Sequence, residues 1–154
     1  MKRTEKRLRL CVTLLICNLV FIWGNSLLPG EISGAFSDWV KSLLAHVLPV
    51  GPDDGSGGGL LRKVAHFTEF AALGALLSWL FGMLDKQKAY ALVCGAAAAC
   101  IDETIQLFVP DRGPAVKDVL IDCSGVMTGM ILLLLGYTWI RKKLSNNHLE
   151  EIQQ

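Results

Sequence analysis

The chain has 154 residues, of which 52% are hydrophobic and 19% are charged, and its mean hydropathy is +0.43. Soluble domains carry about 25% charged residues. The composition therefore argues against a soluble globular enzyme, a disordered chain and a disulfide-rich secreted domain. The net charge is only +1 and there is no basic patch, so we expect no nucleic-acid partner.

Four apolar blocks account for the hydrophobic excess, and each has about 20 residues, the length of a helix that crosses a bilayer. Backbone groups in lipid must bond within their own segment, which favours helices. We predict an all-α integral membrane protein, one domain over 1–154, with four transmembrane helices near 8–28, 64–84, 89–109 and 119–140. Basic residues precede the first block as in a signal peptide, but its length and the missing Ala-x-Ala site favour a retained span.

Lysine and arginine residues set the expected orientation. Five of the fifteen lie before or at the start of the first block, two lie in the loop 85–88, and three directly follow the fourth block. Loops rich in these residues stay in the cytoplasm. We therefore predict that both termini are cytoplasmic (N-in/C-in) and that the first and third loops face outward.

The first outward loop has two parts. Apolar residues recur at helical spacing around Trp39, which predicts an amphipathic interfacial helix near 36–48. It is either a lid over a membrane-facing site or a connector that lies on the headgroups. Residues 49–59 are rich in Gly and Pro, a composition typical of a flexible tether.

Small residues predict close helix packing. Gly125 and Gly129 form a G-x-x-x-G pattern, and residues 95–100 are almost all small, so we predict that spans three and four pack closely. All five cysteines fall inside predicted spans without metal-ligand spacing. We interpret them as small packing residues.

Ionisable and amide side chains are costly inside a membrane, so they need a partner or a function there. In this chain they collect at the predicted outer ends of spans two to four, and Arg112 lies in the loop between the last two spans. Helical phase lets each span direct its polar face toward the other two. The candidate ligand-binding residues are Lys63, His66, Glu69, Asp102, Glu103, Gln106, Arg112, Asp118 and Asp122.

The carboxylates at this depth allow two kinds of chemistry. Oxygen ligands from Asp102, Glu103, Asp118 and Asp122 suit a divalent cation such as magnesium or calcium. His66 and Glu103 are also candidate catalytic residues, as an acid and a base. No sequence motif defines a reaction.

Basic residues point to an anion. Lys63, His66 and Arg112 suit a phosphate group, and Arg112 offers a planar fork of donors. A site that binds both a cation and an anion would suit a phosphate-bearing lipid headgroup. The alternative is structural, because charges near helix ends often pair with each other or face water.

Three segments in order resemble the signatures of VanZ-like membrane proteins. They are residues 63–74 (KVAHFTEFAALG), residues 102–112 (DETIQLFVPDR), and the set Asp118, Asp122 and Gly125. The resemblance implies a small multi-pass protein of the bacterial cytoplasmic (inner) membrane with about four spans. The family is named after an accessory protein of teicoplanin resistance.

Two positions depart from the pattern that the resemblance implies. The family commonly has Tyr where Phe70 stands and Asn where Asp122 stands. The first departure removes a hydroxyl group. The second adds a negative charge, which favours a cation or an additional basic partner.

Our leading hypothesis is that the outward-facing polar site recognises a cell-envelope component, such as a lipid-linked phosphate or a peptidoglycan intermediate. Such binding could lower susceptibility to lipoglycopeptides such as teicoplanin. The runner-up is a metal-assisted hydrolase or transferase that acts on a lipid-linked phosphate. A third hypothesis is a structural membrane partner whose charges only pair with each other.

Overall fold

The computed structural model describes residues 2–45, 57–113 and 115–152, and within these ranges every regular element is a helix. The prediction of an all-helical chain is therefore confirmed. In chain order the helices are α1 (Lys2–Ser26), α2 (Gly30–Ala45), α3 (Gly57–Met83), α4 (Ala89–Gln106) and α5 (Val116–Ile152).

Three segments in these helices are long and apolar enough to cross a membrane: Lys2–Ser26, Leu61–Met83 and Val116–Asn146. They correspond to the first, second and fourth predicted spans. The remaining one, α4, has 18 residues. At 1.5 Å per residue it is about 27 Å long, slightly less than a hydrocarbon core of about 30 Å, and its last turns are polar.

A small apolar core joins four of the helices. Ile22 of α1, Phe70 and Leu73 of α3, Ala99 of α4 and Val126 of α5 are all fully or almost fully buried. Large apolar side chains elsewhere point away from this core, and their exposed surface is a suitable face for lipid. Burial in the core therefore fixes which face of each helix turns inward.

Glycines allow α3 and α5 to approach within backbone contact. A Cβ atom at Gly129 would meet the carbonyl oxygen of Ala71, and one at Gly125 would meet the carbonyl oxygen of Phe67. The stripe formed by Gly125 and Gly129 therefore faces α3 and not α4, although the predicted close packing of spans three and four, α4 and α5, is confirmed. Gly95 does bring α4 against Val126 of α5, so those helices also pack.

The segment before α3 differs in part from its predicted bounds. The interfacial helix was predicted near 36–48, whereas α2 already begins at Gly30. Pro29 precedes it and Glu31 lies in its first turn, both of which suit a helix start. Residues 46–56, with most of the predicted tether, lie outside the described residues, and 57–59 form the first turn of α3.

The start of α2 lies against the loop between α4 and α5. The amide of Gly30 donates to the carbonyl oxygen of Pro110 at 3.2 Å, and a Cβ atom at Gly30 would meet the backbone of Asp111. Asp111 itself has a φ of 58°, a left-handed conformation that Asp tolerates better than most residues. The two loops that are predicted to face outward therefore meet at one end of the helix bundle.

Candidate functional site

Three helices bring His66, Asp102 and Asp122 together, and we call this group the His66 cluster. The Nδ1 atom of His66 lies 3.7 Å from Oδ2 of Asp102 and 3.8 Å from Oδ1 of Asp122. The side chain of His66 is 12% exposed, whereas both aspartates are fully buried. Residues from α3, α4 and α5 thus converge at one level of the helix bundle, as their helical phase predicts.

Gln106 holds the carboxylate of Asp102 in place from one turn further along α4. Its Nε2 atom donates to Oδ2 of Asp102 at 3.0 Å and to the hydroxyl oxygen of Ser26 at 3.4 Å. Ser26 is the last residue of α1 and is fully buried. The end of α1 therefore takes part in positioning the His66 cluster.

Glu69 lies one turn deeper in α3 than His66 and contacts α1. Its Oε1 atom accepts a hydrogen bond from Nδ2 of Asn25 at 3.0 Å, and its backbone carbonyl oxygen lies 3.5 Å from Nδ2 of Asn18. The Oε2 atom of Glu69 is buried without a hydrogen-bond partner in the described part of the chain. Asn25 thus provides a hydrogen-bond partner for one of the two carboxylate oxygens of Glu69.

Glu103 connects the end of α4 to the start of α5. Its Oε2 atom accepts a hydrogen bond from the amide of Ala115 at 2.8 Å. This amide directly precedes α5, where a negative charge is favourable because of the helix dipole. Part of the role of Glu103 is therefore structural, although its side chain also borders the cleft described below.

Arg112 reaches α1. One of its terminal nitrogens, Nη2, lies 3.4 Å from the carbonyl oxygen of Asn25, while Nε and Nη1 are buried without hydrogen-bond partners among the described residues. Burial lowers the pKa of the guanidinium group below its ordinary value, and Arg62 acts in the same direction. An arginine side chain nevertheless stays protonated in proteins. Arg112 therefore keeps its positive charge, and its Nε and Nη1 atoms are available as hydrogen-bond donors.

A cleft beside the His66 cluster opens to the outside of the helix bundle, and we call it the polar cleft. Its space, which includes the open solvent at its mouth, is about 250 Å³. The side chains that line it are Arg62, Lys63, His66, Glu103, Gln106, Asp118, Ile121 and Asp122.

The structure distributes the predicted residues over two connected regions. Lys63, His66 and Asp118 line the polar cleft, and Asp102 lies directly behind it. Glu69 and Arg112 instead contact Asn25 at the end of α1. Arg112 is therefore not among the residues that line the cleft. Its position does not support the prediction that it binds the same anion as Lys63.

Sequence reasoning missed three residues of this region. Arg62 is four residues before His66, so its place on the same face of α3 could have been predicted from helical spacing. Asn25 and Ser26 are polar residues at the predicted outer end of the first span, the same depth as the other polar groups. Their position was a usable signal.

The long apolar helices and the buried polar cluster between them define the class of the protein. It is a multi-pass helical membrane protein with a polar site at one end of the bundle. The family model described as VanZ/LLP1 matches residues 9–137. The chain belongs to the VanZ/LLP1 family, as the resemblance of its three polar segments indicates.

No curated protein and no solved structure matches the chain at a significant level.

Proposed function

We propose that the protein crosses the bacterial cytoplasmic membrane four times, with both termini inside and the polar cleft at the outer leaflet. Support for α4 as a span comes from its exposed apolar face, where Leu92 and Val93 are 38% and 65% exposed. In α5, at the end of the predicted fourth span, Lys143 lies over the ring of Trp139 at 5.4 Å. Aromatic and basic residues of this kind favour a cytoplasmic membrane interface.

Cysteine labelling tests this orientation. Lys117 at the start of α5 and Lys88 before α4 are both exposed, so each can be replaced by cysteine in a background without native cysteines. We expect an impermeant thiol reagent added to intact cells to label Lys117→Cys and not Lys88→Cys. In inverted membrane vesicles the labelling should be reversed. Labelling of Lys88→Cys in intact cells would contradict the proposed orientation.

We propose that the polar cleft binds a phosphate-bearing lipid of the cell envelope, such as a lipid-linked phosphate or a peptidoglycan intermediate. The observation that carries this proposal is that Arg62 and Lys63 line the same small cleft as His66 and the ends of three helices. Basic side chains supply the charged donors that a phosphate group requires. The location suits a headgroup whose acyl or prenyl chain remains in the bilayer.

A consequence of this binding would be a lower susceptibility to lipoglycopeptides such as teicoplanin, because the protein would alter the pool of envelope lipids. The polar cleft would therefore act on the envelope component and not on the drug.

Equilibrium binding tests the proposed ligand. The purified protein, titrated with a long-chain polyprenyl monophosphate, should bind it more tightly than the uncharged polyprenol of equal length. The double variant Arg62→Gln/Lys63→Gln should lose at least about tenfold in affinity, since a hydrogen bond to a charged group contributes about 1.5–3 kcal/mol. Lys117→Gln, a nearby basic residue outside the cleft lining, should keep the affinity of the unmodified chain.

Two results would contradict the binding proposal. One is equal affinity for the phosphate and the alcohol. The other is equal loss in the double variant and in Lys117→Gln, which would indicate general attraction to basic residues. Absence of binding to any envelope lipid would favour the third hypothesis, a structural membrane partner.

A second candidate function is hydrolysis or transfer of the lipid-linked phosphate. It is favoured by the position of His66 between two buried aspartates, with Glu103 beside them. Water would attack phosphorus as the bond to the lipid oxygen breaks; Glu103 or His66 would take the proton of the water and give a proton to the leaving lipid oxygen, which departs as the alcohol. Release of inorganic phosphate from the same polyprenyl monophosphate would favour this function over binding alone.

A further inference from the structure

We propose that His66, Asp102 and Asp122 form a binding site for one divalent transition-metal ion. One ligand atom from each residue lies within 4.8 Å of the other two. Ligands on a common ion at roughly 2.1 Å are roughly 3.0–3.5 Å apart at octahedral or tetrahedral angles. The two distances from Nδ1 of His66, 3.7 and 3.8 Å, need to shorten by only a few tenths of an ångström.

The buried carboxylates provide an independent reason. Asp122 is fully buried, and neither of its carboxylate oxygens has a hydrogen-bond partner within the described part of the chain. Asp102 is equally buried, and its Oδ1 atom also lacks a partner there. A buried carboxylate without hydrogen bonds is costly, and a divalent cation that faces both carboxylates would remove that cost.

The surroundings of the cluster also fit a metal site. Gln106 donates to Oδ2 of Asp102 and is itself fixed by Ser26, which is the kind of hydrogen bond that orients a metal-ligating carboxylate. Three protein ligands leave coordination positions open. Because His66 and Asp122 border the polar cleft, those positions would face the cleft.

The ligand set selects a class of ion. One imidazole nitrogen with two carboxylates suits Mn²⁺, Fe²⁺, Co²⁺ or Zn²⁺, whereas Ca²⁺ and Mg²⁺ prefer oxygen ligands alone. The site differs from the all-carboxylate set predicted from the sequence, because His66 replaces Glu103 and Asp118. The inference extends the proposed function. It rests on that function only where it places the ion beside the phosphate of the lipid.

Metal binding can be tested with the metal alone. The purified full-length protein, titrated with Mn²⁺ and followed by electron paramagnetic resonance, should bind one ion per chain, and Zn²⁺ should displace it. Asp122→Asn and Asp102→Asn should each weaken binding at least about tenfold, by comparison with the losses known for groups around metal sites. Asp85→Asn, an exposed carboxylate in the loop between α3 and α4, should change the affinity less than about threefold.

A spectroscopic readout keeps the test decisive if a variant folds poorly. Electron spin echo modulation from a ¹⁴N nucleus should accompany bound Mn²⁺ and should be lost in His66→Gln. The proposal is overturned if the folded protein binds neither ion, if Asp122→Asn binds as tightly as the unmodified chain, or if no nitrogen signal appears. Lipid binding measured with a chelator present tests the proposed function separately, so the two failures remain distinguishable.

Discussion

Replacement of Gly129 by valine is expected to lower the free energy of unfolding by about 3 kcal/mol, at the upper end of the usual cost of overpacking. A Cβ atom there would collide with the carbonyl oxygen of Ala71. The obstacle is backbone, not a flexible side chain, so the two helices must separate. The effect should be visible as a lower midpoint of unfolding in sodium dodecyl sulfate titrations.

The matched control for this substitution lies two turns further along α5. Gly136 has no atom within 4 Å of the position of an added Cβ atom, so Gly136→Val tests the effect of valine without the collision. It should change stability by less than about 0.5 kcal/mol, as surface substitutions usually do. Equal losses in the two variants would show that α3 and α5 do not approach through Gly129.

Replacement of Asp122 by asparagine is expected to stabilise the metal-free protein by about 1–3 kcal/mol. The carboxylate is fully buried and lacks hydrogen-bond partners among the described residues, and an uncompensated buried charge costs more than an uncompensated neutral amide. Asparagine keeps the shape and removes the charge. We therefore expect a higher unfolding midpoint together with the loss of metal binding described above.

The sign of this change separates a functional site from a structural ion pair. If His66 is charged and serves only as a partner for Asp122, removing one member of a buried pair should destabilise the protein by about 3–5 kcal/mol. Thermal unfolding of the two proteins in detergent with a chelator present decides between these results. Asp118→Asn is the control, because Asp118 is half-buried at the edge of the cleft.

Much of the candidate site follows from the sequence because helix geometry is regular. Once the spans and their directions are assigned, residues at the outer end of each helix must share a depth, and spacing fixes the faces that they share. His66, Asp102 and Asp122 meet for this reason. The same regularity applies to Arg62 and Ser26, although the sequence analysis did not include them among the candidate residues.

Other features depend on contacts that spacing does not determine. A stripe such as Gly125 to Gly129 shows that a helix approaches closely, but it does not identify which helix, and here that helix is α3. Arg112 follows the left-handed residue Asp111 in an irregular loop. Its contact with the carbonyl oxygen of Asn25 could not be derived from helical periodicity.

The most direct measurement is a high-resolution structure of the protein in lipid nanodiscs with a polyprenyl monophosphate and Mn²⁺ added. We expect phosphate density next to Arg62 and Lys63, and metal density between His66, Asp102 and Asp122. A polar cleft without phosphate density, with the lipid bound only along the apolar outer faces of the helices, would contradict the proposed function.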